Sequence, residues 1–161
     1  MRRSVWIVLV IVVALGGLIG YQRISAPLLS DEQQIRTLLA EGEKAVERRS
    51  IKAALDSVSK DYSDPTGFNR DGLRLQVIEA FRTADGYDVS VQTEGIQVAG
   101  DTAEVQTEVA VVSLQKGDRH EVFSGPVTIR LAREPGRRYL VFPTKTWKVV
   151  GMSGLPLSSP G

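Results

Sequence analysis

Hydrophobic and polar positions change their spacing twice along the chain. From Val5 to Tyr21 the sequence reads VWIVLVIVVALGGLIGY, about 17 residues without a charge, near the lower limit for a helix that crosses a bilayer. After Asp31 the apolar residues recur at helical spacing: Ile35, Leu38, Leu39, Ala45 and Val46 make one stripe, predicting a helix from Asp31 to Arg49. Ser30 precedes it as an N-cap, with Asp31 and Glu32 in the first turn and Gln33 placed to close a capping box. Ser50 restarts the pattern for a short helix carrying Ile51, Ala54, Leu55 and Val58. Asn69 caps a third, with Leu73, Val77, Ile78 and Phe81 on one face and Gly86 marking its end.

From Tyr87 the period becomes two, as in a half-buried strand. Tyr87, Val89 and Val91 are odd-numbered, whereas Ile96 and Val98 are even, so one extra residue near Glu94-Gly95 predicts a β-bulge. Gly100-Asp101 turns the chain into a long strand through Ala103, Val105, Thr107, Val109 and Val111. Lys116-Gly117-Asp118 is the next predicted turn, Val127, Ile129 and Leu131 mark a third strand, and Glu134-Pro135-Gly136 is a third predicted turn. The last stretch, Tyr139 to Met152, reads as strand, with Pro143 at a bulge or an unpaired edge. Three helices followed by a four-strand meander is an α+β order, with helices packed on one face of a curved antiparallel sheet.

The first apolar segment sets the address. Arg2 and Arg3 precede it, and Trp6 and Tyr21 bracket it where interfacial aromatics are favoured. At 1.5 Å per residue it spans roughly 26 Å. The expected organisation is a cytoplasmic tip at 1–4, a transmembrane signal anchor at 5–21, a linker at 22–30, an α+β domain at 31–152 and a Pro, Ser and Gly tail at 153–161 with no reason to be ordered. A cleaved signal peptide is the competing reading, since Ala14-Leu15-Gly16 and Ile24-Ser25-Ala26 offer small residues; Pro27 disfavours cleavage at the second. Either reading exports the domain. The expected location is a bacterial cytoplasmic (inner) membrane, single-pass, with the domain on the extracytoplasmic side.

Composition narrows the function classes. Of 161 residues, 42% are hydrophobic and 24% charged, which are globular values. The formal charge of +1 conceals Arg2, Arg3 and Arg23 at the start; the remainder carries 17 basic against 19 acidic residues. Such a domain lacks the basic stripe that nucleic acid requires. There is no cysteine, which excludes disulfides, thiolate chemistry and the acylated cysteine of a lipoprotein.

Several stretches together resemble the nuclear transport factor 2-like (SnoaL-like) superfamily over roughly residues 31 to 151. They are the helix with Ala45 and Val46, Asp61-Tyr62-Ser63-Asp64-Pro65, Arg70-Asp71-Gly72-Leu73, Val98-Ala99-Gly100-Asp101-Thr102-Ala103 and Trp147-Lys148-Val149. The resemblance implies a cone-like half-barrel in which sheet and long helix enclose a pocket, often with dimerisation through the sheet. Members often carry a short hairpin before the third helix; Tyr62 to Asn69 reads here as a loop.

Candidate chemistry is sparse. Asp61, Tyr62 and Asp64 form the densest titratable cluster in a loop; as a carboxylate base with a phenol donor they would suit an isomerase or dehydratase, and as turn-formers they would merely shape the chain. Candidate pocket-lining residues are Tyr62, Phe81, Tyr87 and Trp147, the last also readable as a core ring. The single histidine, His120, follows a turn and reads as a surface residue; without cysteines no zinc site is expected, and no cofactor motif occurs. Arg70, Arg74 and Arg82 lie near helical spacing, either as a solvated face or as receivers of an anion. The preferred reading is a non-enzymatic, membrane-anchored envelope module that binds a protein partner or a small apolar ligand. A small pocket enzyme using Asp61 or Asp64 with Tyr62 or Tyr87 is the alternative. Homodimerisation is a third reading, through the face carrying Glu104, Gln106, Glu108 and Thr128.

Overall fold

The structure, a computed structural model, describes residues 29–138 and 142–154. The apolar segment at 5–21, the linker up to residue 28, the tail from residue 155 and the side chain of Phe142 lie outside the described residues. Among those described, no helix is long and apolar enough to cross a membrane.

Helix α1 spans Asp31–Glu47 and begins as the sequence predicts: the Gln33 amide donates to Ser30 Oγ at 3.2 Å, and the Ser30 amide donates to Gln33 Oε1 at 3.1 Å. It stops two residues short of the expected Arg49, because Arg49 turns the chain at φ +53°. Ser50 then caps α2, Ile51–Asp56, and Asn69 caps α3, Arg70–Thr83. Gly86 does not end α3; Ala84 is already extended and Gly86 opens the sheet.

The sheet is an antiparallel meander in the order β1 (Gly86–Ala99), β2 (Thr102–Gln115), β3 (Asp118–Arg138) and β4 (Phe142–Ser153). The register between β1 and β2 shifts between Thr93 and Gly95, at the predicted bulge. Two further shifts fall at Val111/Val112 and at Arg130/Leu131. Each extra residue bends its strand and increases local twist.

One predicted turn is overturned. Glu134-Pro135-Gly136 lies within β3, with Pro135 opposite Lys145 and Gly136 opposite Thr144. The ladder with β2 ends at Thr102 opposite Ala132, so beyond that point β3 and β4 form a two-stranded ribbon. There a proline on the open side forfeits no ladder bond. Pro143 sits opposite Arg137 in β4, an edge strand, as the missing amide requires. The expected tail start is also strand, since Ser153 pairs with Thr128.

Inward residues of α1 and α3 and the alternating Val89, Val105, Val109, Val111, Ile129, Leu131 and Val149 form one core. The opposite sheet face carries Glu104, Gln106, Glu108 and Thr128, with Gln106 directly opposite Thr128. Both outer strands are partly covered. Segment 57–63 docks on β4, with the Ser59 amide donating to Val149 O at 2.9 Å and the Val149 amide to Ser57 O at 2.8 Å. The Tyr62–Asn69 stretch is more than a loop: Ser63 and Asn69 form an antiparallel bridge, and the Asp64 amide donates to Phe68 O at 3.2 Å. The short hairpin implied by the resemblance is therefore present in minimal form.

Candidate functional site

The Asp61-Tyr62-Asp64 cluster is divided by the alternation of its own backbone. Asp61 is exposed, whereas Tyr62 and Asp64 point inward and are buried. The Tyr62 hydroxyl donates to Asp64 Oδ2 at 3.2 Å. Asp64 Oδ1 accepts from the Thr66 amide at 2.9 Å, the Thr66 hydroxyl at 2.5 Å and the Phe68 amide at 3.1 Å. That is an Asx-turn extended by two donors, and it holds the minimal hairpin shut. Burial, reinforced by the Asp64 carboxylate, pushes the Tyr62 phenol far above its usual range. A phenol so placed stays neutral and serves as a donor.

The four residues expected to line a pocket converge on the interior. Tyr62, Phe81, Tyr87 and Trp147 are 2, 5, 4 and 3% exposed and belong to the continuous core. The Phe81 and Tyr87 rings lie 6.3 Å apart at a tilted angle. The Tyr87 hydroxyl donates to Ala80 O at 2.9 Å, and burial pushes its pKa up to about 12. Arg133 stacks over the Trp147 ring at 4.8 Å while pairing with Asp31 at the start of α1. Phe123 packs against the same core in a half-buried position. Among these side chains the interior is occupied by the protein itself.

Two depressions lie outside the core. An open groove of about 450 Å³ between α2 and α3 is lined by Ile51, Lys52, Leu55, Asp56, Arg70, Asp71 and Arg74. A smaller one of about 140 Å³ lies where α1 gives way to α2, beside Glu41, Lys44, Arg48 and Ser50. No sheet residue lines either. Arg70 and Arg74 of the predicted arginine series thus share a groove, whereas Arg82 faces elsewhere and pairs with Glu79 at 3.8 Å. His120 is exposed on β3 opposite Ser113. Among the described residues no three His, Cys, Asp or Glu side chains are grouped to hold a metal ion.

Sequence reasoning missed Lys52 and Lys148 near this groove. The Lys148 ammonium donates to Asp56 O at the end of α2; burial, opposed by Asp56 and Glu134 and reinforced by Arg70, holds its pKa below the usual lysine range. Only the closeness of β4 to α2, created by the docking of segment 57–63, brings Lys148 there. Nothing in the local pattern of Trp147-Lys148-Val149 signals it.

No sequence-family profile matches the chain, and no curated protein sequence matches it. Solved structures do. A conserved protein from Planctomyces limnophilus superposes with a TM-score of 0.65 at 15% identity, covering 77% of this chain and 94% of that one. A nuclear transport factor 2-like protein with a cystatin-like fold from Novosphingobium aromaticivorans gives 0.60 at 19% identity, covering 76% and 79%. A protein from the same organism, provisionally assigned as a scytalone dehydratase, gives 0.63 at 13% identity, covering 76% and 80%. At such identities the likeness speaks for the fold alone, and that fold is nuclear transport factor 2-like, or cystatin-like.

Proposed function

We propose that this nuclear transport factor 2-like domain is a non-enzymatic binding module of the bacterial cell envelope, held at the membrane by residues 5–21 and displayed on the extracytoplasmic side. The observation that carries the reading is the filled interior: Tyr62, Phe81, Tyr87 and Trp147, the residues that would line a substrate cavity, are core. With the interior occupied, the reading turns from an internal apolar ligand toward a protein partner or a second copy on the outer surface. The polar sheet face with Glu104, Gln106, Glu108 and Thr128 is an extended surface of that kind. Tethering would raise its effective concentration toward membrane partners.

The test is crosslinking of the full chain in its native membrane, followed by identification of captured proteins. A defined set of envelope proteins that disappears with Glu104→Lys and Glu108→Lys is expected. Retention of the same set in both variants would sink the sheet-face reading. Recovery of the chain alone, crosslinked to itself, would replace it with a homodimer.

One observation favours the enzyme alternative, the buried 3.2 Å contact of Tyr62 with Asp64. In that reading Asp64 would be the base and Tyr62 the donor, with Asp61 outside. It requires the Thr66 and Phe68 donors to release Asp64 and the core to open. Turnover of a small cyclic ketone, lost in Asp64→Asn, would establish it; absence of turnover across such substrates would remove it.

A further inference from the structure

We infer that the groove between α2 and α3 binds an anionic carbohydrate, a sugar unit carrying a phosphate or a carboxylate, with Arg70 as its principal contact. The inference stands on the groove's own chemistry and is independent of the anchor and of the sheet face. Its volume, about 450 Å³, falls in the ordinary range of small-ligand sites.

Three cations line it, Lys52, Arg70 and Arg74, beside the carboxylates of Asp56 and Asp71. Among the described residues none of these five forms an ion pair. Opposite charges that share a groove without closing on one another leave both kinds of hydrogen-bonding capacity for a third molecule. Arg70 differs from the other two in carrying a buried donor, its Nε, that has no partner among the described residues. Among the same residues the guanidinium makes one hydrogen bond, a long 3.3 Å contact from Nη2 to Leu55 O. A guanidinium so weakly tethered at the wall of a groove gains two parallel bonds by turning toward an oxyanion. Lys148 adds a further cation at the same helix end, where its ammonium donates to Asp56 O.

The remaining lining specifies more than a bare ion. The Asp56 and Asp71 carboxylates suit hydroxyl donors and disfavour a second anionic group. Ile51, half-buried at the groove wall, offers apolar surface for the C–H face of a ring. Hydroxyls, a C–H face and one oxyanion are together the features of a sugar phosphate or a sugar acid.

The experiment is titration of the full chain, in a neutral detergent, with glucose 6-phosphate, glucuronate, glucose and inorganic phosphate, followed by the NMR signal of the Arg70 Nε–H. Saturable shifts are expected with the two anionic sugars, with weaker binding of glucose and of inorganic phosphate. Arg70→Gln should weaken anionic-sugar binding at least about tenfold, as loss of a charged hydrogen bond does. Arg70→Lys should recover part of it, and Arg82→Gln should leave it unchanged. The Trp147 indole signal reports whether each variant is folded. A trimer of galacturonate, compared with glucuronate, separates a polymer as the source from a free sugar acid. Equal affinity for glucose and glucose 6-phosphate, or unchanged affinity in folded Arg70→Gln, would overturn the site. Inorganic phosphate binding as tightly as glucose 6-phosphate would overturn its carbohydrate character.

Discussion

Glu43 on α1 accepts the backbone N–H of Val91, on the outer strand β1, at 2.7 Å. A side chain from a helix thereby takes the place of a fifth strand at that point of the edge. On the other side, segment 57–63 pairs with β4 through the Val149 and Val150 carbonyls. These contacts blunt the two edges against strand addition.

Glu43→Ala is expected to lower stability by about 1 to 2 kcal/mol, because the Val91 amide loses its acceptor. Glu43→Gln keeps an oxygen at the same place and should lose far less. The melting temperatures of the two variants, measured side by side in detergent, check this. Equal losses would mean that the acceptor at Val91 contributes little.

Burial raises the Glu43 pKa above 4.5, against the lowering effect of the Val91 bond. A raised folded-state value means that the contribution is fully present below about pH 4.5 and is lost as pH rises through the folded value. The stability difference between the native chain and Glu43→Gln should therefore move against the native chain across that window. A flat difference between pH 4 and 7 would contradict the burial.

The Tyr62–Asp64 contact distinguishes structure from chemistry by the sign of its effect. As a clasp, Tyr62→Phe should cost about 1 kcal/mol, and Asp64→Ala, which strands the Thr66 and Phe68 donors, about 2 to 3 kcal/mol. Residues retained for catalysis at the expense of folding commonly give the opposite sign. Denaturation midpoints of both variants decide it.

Gly151→Ala should destabilise by about 1 to 3 kcal/mol. An added Cβ would overlap Arg130 Nη2 and come within 2.8 Å of the Ser63 carbonyl oxygen. The arginine can swing aside, but Ser63 is held by its own amide on Val150 O. Displacement of the Ser63 backbone should weaken its own amide's bond to Val150 O and appear in the same variant as faster hydrogen exchange at Ser63. Unchanged melting would show that the hairpin backbone yields.

In alkali, Tyr87 should ionise late. Its pKa is raised from 10.0 to about 12 by burial, so the stability it contributes is complete below about pH 10 and is lost between about 10 and 12. Phenolate absorbance and tryptophan fluorescence should change together in that interval. Separate transitions would place Tyr87 in contact with solvent.

Elements were legible wherever one local pattern decided them. The capping box of Ser30 and Gln33, the caps at Ser50 and Asn69 and the Thr93/Gly95 bulge all follow from spacing over a few residues. The Glu134-Pro135-Gly136 turn was misread because a proline and a glycine break strands only where a neighbour needs their hydrogen bonds, and the β3–β4 ribbon runs past β2. Site residues were legible in type but not in arrangement: Tyr62 and Asp64 meet, Asp61 does not join them, and Arg70 finds Lys52 rather than Arg82.

By itself, the sequence determined, over the described residues, the order of three helices and four antiparallel strands, and the face that each presents to the core. Those follow from periodicity and capping, which are properties of neighbouring residues. Only the tertiary structure decided that Tyr62, Phe81, Tyr87 and Trp147 fill the interior, that Glu43 closes on Val91, and that Lys52, Arg70 and Arg74 border one groove. Such relations join residues far apart in the chain, and they depend on how bulged strands and docked segments bring those residues together.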